Sequence, residues 1–371
     1  MSIDLLRPFD IGKLEIRNRF VRSATWDATA DSSGAVTDNS VALYRELGRG
    51  GVGLIVTGFA FVSLSGQTVS GQYGAHTDDM IPGLRRLVQA AHEGGAKIAL
   101  QIAHAGIGSD YLLEKGLAAL AVSRIPRLSR PHREMTDEEI VAAITDFELA
   151  GRRAMEAGFD AVQLHGAHGY LMSQFLSPIF NQRTDRWGGS ADNRRRFHLE
   201  VIQRLRRTVG AEFPLMVKFG VQDDRPRGLT LDDGLETARQ MVANSIDAVE
   251  VSVGVGASMR VVKEGEMERA YFRENAAAVK CEVTVPVIAV GGIRSLQTAR
   301  DIVGSSDADL IAMCRPFIRE PGLIARWQQG DERPAKCISC NKCFGIAAKG
   351  EPLTCGEERR LKPAQRSPRT R

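Results

Sequence analysis

The 371-residue sequence contains no run of 18 apolar residues, so no transmembrane helix is expected. Its first twenty residues carry Asp4 and Asp10 and no long apolar stretch, so no secretory leader is expected and a cytoplasmic location is. No glycine-rich dinucleotide fingerprint follows the first strand-like run, which argues against a doubly wound nucleotide-binding sheet. The body has almost no net charge. Five Arg and one Lys against two Glu in residues 357–371 account for the whole formal charge of +4. That Pro-, Arg- and Ser-rich tail reads as disordered, and without a basic, aromatic-interleaved surface elsewhere a nucleic-acid partner is not expected. Cysteine is absent before Cys281, and four of the six crowd into residues 337–355, which is no secreted disulfide framework.

Short apolar runs recur along the chain, most ending in Gly or polar residues. They are FVRSA (20–24), GLIVTG (53–58), KIALQIAH (97–104), DAVQLHG (160–166), LMVKFG (215–220), AVEVSVG (248–254), PVIAVGG (286–292) and DLIAMC (309–314). Continuous apolar runs suit parallel strands buried on both faces. Helical patterns lie between them, one opened by Thr136 and stopped at Gly158, others opened by Thr230 and Ser295. Eight strands alternating with helices predict an α/β fold, a TIM (β/α)8 barrel over residues 1–333. A Cys-rich extension (334–356) and the basic tail (357–371) follow. The stretch 106–135 is long for a strand-to-helix connection and reads as an excursion over the barrel mouth.

Active sites of such barrels lie at the carboxyl ends of the strands. Those ends present Ser23, Ala24 and Thr25, then Gln101 and His104, then His165, His168 and Tyr170, then Lys218, Gly291 and Gly292, and finally Cys314 and Arg315. Acidic pairs are scarce there, which disfavours glycoside hydrolysis. Gly291 and Gly292 allow close backbone approach to a phosphate after strand 7, and Arg315 can add a bidentate contact. In HGAHGY (165–170), two imidazoles can donate to an oxygen that gains negative charge, and Tyr170 can supply a proton. A two-histidine metal site is the alternative, without an evident carboxylate as third ligand.

Residues 165–190, HGAHGYLMSQFLSPIFNQRTDRWGGS, closely resemble the signature of the old yellow enzyme family of FMN-dependent oxidoreductases. RNRFVRSAT, VIAVGGI and CRPFIREP occur in the family's order. The resemblance implies bound FMN with NAD(P)H as electron donor, and reduction of α,β-unsaturated carbonyl compounds. It implies that Ala24, Thr25 and Ala60 line the flavin and that Gln101 bonds its pyrimidine edge. His165 and His168 would grip the substrate's activating oxygen, Tyr170 would protonate the substrate, and Gly292, Cys314 and Arg315 would hold the phosphate. Asn181, Arg183, Asp185 and Trp187 are expected to fix their own loop. Lys218 stands where many members carry Arg, and Cys314 where many carry Gly. Either cation can stabilise charge at N1–C2=O of reduced flavin, but Lys lacks the planar fork.

Cys337-x2-Cys340-x2-Cys343-x11-Cys355 suits a [4Fe–4S] cluster, with a structural Zn2+ or free thiols as alternatives. CISCNKC resembles the cluster-binding segment of the trimethylamine dehydrogenase and 2,4-dienoyl-CoA reductase branch, although Gly356-Glu357 replaces that branch's usual Asn-Pro. With sixteen residues after Cys355, a cluster is expected to be structural or to meet a separate electron-transfer partner. An Fe–S-coupled amine or dienoyl-CoA-type dehydrogenase subunit and a non-catalytic flavin carrier remain as alternative functions. A homo-oligomer is expected.

Overall fold

The computed structural model describes residues 4–256 and 270–361. Eight parallel strands form the centre: β1 (Phe20–Arg22), β2 (Leu54–Val56), β3 (Lys97–Ala103), β4 (Ala161–Gly166), β5 (Leu215–Gly220), β6 (Ala248–Ser252), β7 (Val287–Val290) and β8 (Leu310–Met313). Each pairs with its neighbour in sequence, β8 pairs with β1, and the sheet closes as a (β/α)8 barrel. All eight strands fall inside the apolar runs of the sequence.

The runs are continuous because both faces of each strand are buried. Outward residues such as Ile55, Leu100, Leu164, Val217 and Val249 pack under the helices. Inward residues alternate with them. Val21, Leu54, Val56, Ala99, Ala161, Met216, Ala248, Ile288 and Leu310 fill the barrel's amino-terminal half. There a hairpin of Phe9–Ile11 and Leu14–Ile16 adds Ile11, Leu14 and Ile16 to the same cluster as a plug.

The outer helices are α1 (Asp38–Arg49), α2 (Ile81–Glu93), α3 (Asp137–Ala157), α4 (Ala191–Val209), α5 (Leu231–Ala243), α6 (Arg273–Glu282) and α7 (Leu296–Gly304), with α8 (Arg315–Arg319) and α9 (Leu323–Gln328) after β8. Their ends follow local chemistry. Thr136 and Glu139 form a reciprocal capping box, and Gly158 closes α3 at φ 91, where a side chain would be strained. Thr230 and Ser295 cap α5 and α7 with their hydroxyls. No helix among the described residues is long and apolar enough to cross a membrane.

Residues 106–135 hold a short helix, Asp110–Glu114, and two paired strands, Ala119–Ala121 and His132–Glu134. Arg183 fastens this excursion through the carbonyls of Val122 and Met135. It flanks the mouth beside Tyr170 without lining the central cavity.

After α9 the chain returns across the rim. Helix α10 (Lys342–Ala347) places Cys343 and Ala347 in a small core with Ala28 and Leu353, and the Leu353 amide donates to the Asp27 carbonyl. The tail expected to be unstructured from residue 357 starts instead within helix α11 (Gly356–Leu361). Glu357 stabilises that turn by ion pairs with Lys342 and Arg360. Composition alone hid this contact. Residues 362–371 lie outside the described residues.

Gly234 in α5 packs so closely that an added Cβ would stand 1.7 Å from the Val221 carbonyl oxygen. Gly234→Ala should therefore lower stability by about 1–3 kcal/mol through overpacking, despite a helix propensity gain of about 1 kcal/mol. Urea unfolding measures the sign, and a more stable variant would refute the close approach.

Candidate active site

A cavity of about 330 Å³ opens at the carboxyl ends of the strands. Its wall includes Ser23, Ala24, Thr25, Gln101, His165, His168, Tyr170, Lys218, Gly291, Gly292, Cys314 and Arg315, residues drawn from six strands and their following turns. Ala60 does not line it. That residue is buried in a pairing with Ile102, and the aromatic ring of Phe59 forms the wall instead.

The chain after β4 turns sharply to bring three side chains together. His168 and Gly169 both adopt left-handed backbone, at φ 62 and 75, and the His168 amide donates to the Val253 carbonyl. Tyr170 then begins the short helix Leu171–Leu176, anchored by the Leu171 amide on the His104 carbonyl. Ring centroids lie 5.0 Å apart for His165 and His168 and 4.9 Å for His165 and Tyr170, both edge to face. Phe59 backs His165 and Tyr170 at 5.9 and 5.4 Å.

Burial pushes the His165 imidazole down to about 3, and Lys218 adds to the depression. The same burial, with His165 and Lys218, holds His168 well below 6.5. Both rings are therefore neutral at physiological pH and each carries one N–H. His168 Nε2 lies 2.9 Å from Ser252 Oγ, while His165 Nδ1 is buried without a hydrogen-bond partner among the described residues. Burial pushes the Tyr170 phenol up to about 12, so the hydroxyl keeps its proton.

The opposite side suits a phosphate. Gly291 and Gly292 have φ of 101 and 79, and a Cβ on Gly291 would stand 2.6 Å from the Tyr271 ring. Arg315 bonds the Ser339 carbonyl at 3.2 Å and Asn341 Oδ1 at 2.8 Å, so the Cys-rich segment aims this cation. Arg294 donates to the Cys337 carbonyl, and Ser339 and Phe344 line the cavity. Thr25 Oγ1 and Cys314 Sγ are 2.7 Å apart. A glycine cradle, Arg315, an aromatic and apolar middle and the polar trio make a wall whose chemistry fits FMN.

Beneath the cavity floor lie two residues that sequence reasoning passed over, Glu250 and Gln163. Lys218 Nζ bonds Ser23 Oγ at 2.7 Å and Glu250 Oε1 at 2.9 Å, and Gln163 lies beside Glu250. Glu250 and Gln163 sit two residues before Ser252 and His165 on their strands. A period of two from the rim residues was the signal that could have found them. Asn181, Arg183, Asp185 and Trp187 fix their own loop: Asn181 bonds the carbonyls of Phe175 and Trp187, and Arg183 bonds Asp185.

Cys337, Cys340, Cys343 and Cys355 all line one small cavity of about 20 Å³ directly behind Arg315. No three His, Cys, Asp or Glu among the described residues are grouped as ligands of a metal ion. Burial pushes the Cys343 thiol up to about 12.

Residues 4–333 match the model of the NADH:flavin oxidoreductase / NADH oxidase family. The chain is 36% identical over 341 residues to an NADH oxidase of Thermoanaerobacter brockii, covering 90% of this chain and 52% of that protein. It is 36% identical over 326 residues to an NADPH dehydrogenase of Geobacillus sp. (strain WCH70), covering 86% of this chain and 92% of that one. The solved complex of 2-naphthoyl-CoA reductase with 2-naphthoyl-CoA shares its fold at a TM-score of 0.89 and 28% identity, over 95% of this chain and 56% of that one. The chain thus spans about half the length of the oxidase and of the 2-naphthoyl-CoA reductase.

Burial also holds His104 at about 4 and His198 at about 3, against an ordinary 6.5. Between these values the unfolded chain binds more protons than the folded one, so stability is full above about pH 6.5 and is lost as pH falls. Urea unfolding free energies should drop between pH 7 and pH 5, by on the order of 1–2 kcal/mol per buried imidazole. His198→Phe should flatten the slope by one such share. Equal stability at both pH values would contradict neutral, buried imidazoles.

Proposed function

The chain belongs to the NADH:flavin oxidoreductase / NADH oxidase family, and from that premise we propose that it is an FMN-dependent, NAD(P)H-linked oxidoreductase that reduces C=C bonds activated by a carbonyl group. The observation that carries the reading is the trio His165, His168 and Tyr170 converging on one cavity with Gly291, Gly292 and Arg315. When bound there, FMN would supply hydride chemistry, taking two electrons from NAD(P)H and delivering hydride from N5 to an electron-poor carbon.

The protein's own groups do the rest. Arg315 and the backbone at Gly291-Gly292 would hold the phosphate, and Ala24, Thr25 and Phe59 would flank the ring system. Gln101 and Lys218 would hold its pyrimidine side. The neutral imidazoles of His165 and His168 present N–H donors to the substrate's carbonyl oxygen, where negative charge grows during hydride transfer. Tyr170 holds its proton and gives it to the carbon next to the carbonyl. Phe59, Trp26 and Phe344 supply apolar wall around this polar cluster.

The cysteine segment supports a second reading, in which the chain works with a partner protein that exchanges electrons, as in amine or dienoyl-CoA-type dehydrogenases. Its support is the shared cavity of four thiols, soft donors suited to a [4Fe–4S] cluster or zinc. Protein purified without air should contain about four Fe with acid-labile sulfide per chain. About one Zn per chain would make the site structural, and neither metal would remove this reading.

Tyr170→Phe removes one hydroxyl and keeps the ring. It should leave flavin reduction by NAD(P)H unchanged and slow enone reduction by about 10²–10⁴-fold. Stopped-flow measurement of the two half-reactions separates them. Wild-type enone reduction by the variant would exclude Tyr170 as proton donor. Wild-type protein that cannot be reconstituted with FMN would remove the whole assignment.

A further inference from the structure

Glu250 is the one carboxylate among the described inward-facing residues of the barrel strands, and it does not line the cavity. It is fully buried on β6 and accepts three hydrogen bonds: from Ser23 Oγ at 2.6 Å and Lys218 Nζ at 2.9 Å on Oε1, and from Gln163 Nε2 at 2.9 Å on Oε2. Gln163 Oε1 in turn accepts from Gln101 Nε2 at 2.7 Å. Burial alone would raise the Glu250 carboxyl, but the Lys218 charge and these donors outweigh it and hold the group ionised below its ordinary value.

An ionised carboxylate can only accept. Gln163 must therefore turn its NH2 toward Glu250 and its carbonyl toward Gln101. Gln101 must then turn its own NH2 toward Gln163, and its carbonyl oxygen is the end left for the cavity it lines. The same carboxylate offsets the charge of Lys218, the cation at the cavity floor.

We propose that Glu250 is a positioning residue for the flavin: through Gln163 it presets Gln101 as an acceptor for the pyrimidine N–H, and through Lys218 it presents the carbonyl edge with a cation already half of an ion pair. The inference rests on the FMN reading above. Its redox consequence is that reduced, anionic flavin gains less from Lys218 than it would from an unpaired ammonium.

The test measures dissociation constants of oxidised and reduced FMN with the full chain. Glu250→Gln removes the negative charge and should raise the preference for reduced over oxidised FMN by at least about tenfold, equivalent to about 30 mV for a two-electron couple. Glu250→Asp keeps the charge and should preserve the ratio while weakening both forms. Gln163→Leu should weaken both forms by about tenfold and leave the ratio unchanged, because it removes the link between Glu250 and Gln101 but keeps the Lys218–Glu250 charge pair. Circular dichroism checks that each variant folds. If Glu250→Gln does not fold, the other two variants carry the test. A wild-type ratio in Glu250→Gln, an altered ratio in Glu250→Asp, or unchanged affinity in Gln163→Leu would overturn the proposal. Wild-type protein that binds no FMN would instead remove the reading beneath it.

Discussion

Pairing of β2 with both β1 and β3 closes the sheet, and this closure is the constraint on which the rest of the molecule depends. Eight parallel strands in a closed ring deliver all their carboxyl ends to one rim, so residues hundreds of positions apart become neighbours. Closure also makes the interior finite. Its amino-terminal half is filled by aliphatic side chains and the hairpin plug, which leaves the next layer to whatever groups can satisfy one another. Gln101, Gln163, Lys218 and Glu250 occupy that layer, and they are bearable there because each has a partner of the right polarity.

A second dependence runs across the rim. The Cys-rich segment is a wall of the cavity as well as an appendage to the barrel. Ser339 and Asn341 hold Arg315, Cys337 receives Arg294, and Leu353 ties the segment to the loop after β1. Ser339 and Asn341 both adopt left-handed backbone to do this, at φ 55 and 59. The geometry of the thiols and the aim of Arg315 are therefore mechanically linked.

Much of this was legible in the sequence because the barrel's regularities are local. Strand runs, helix caps such as Thr136 and Thr230, and the rim position of His165 follow from short patterns of polarity. What stayed hidden depends on direction and on distant partners. AVEVSVG reads as one apolar strand, and nothing in it says that Lys218, the register neighbour of Glu250 on β5, meets that carboxylate inside the barrel. Phe59 rather than Ala60 faces the cavity because Ala60 has already turned into a pairing with β3. The contact between Glu357 and Lys342 was invisible because a run of charges gives no hint of a partner fifteen residues away.

The buried polar layer bears on how the chain folds. Ser23 meets Glu250 across 227 positions and Lys218 across 195, whereas Gln101 and Gln163 are 62 apart. Contacts of such separation form late, after the costly loops are closed. Until β1 docks against β8, Lys218 and Glu250 lack the Ser23 hydroxyl that completes their site. A barrel closed out of register would bury the pair with part of its partners missing. The layer therefore acts as a checkpoint on assembly: compact but misregistered forms are penalised by unsatisfied charge, while the native ring alone satisfies it.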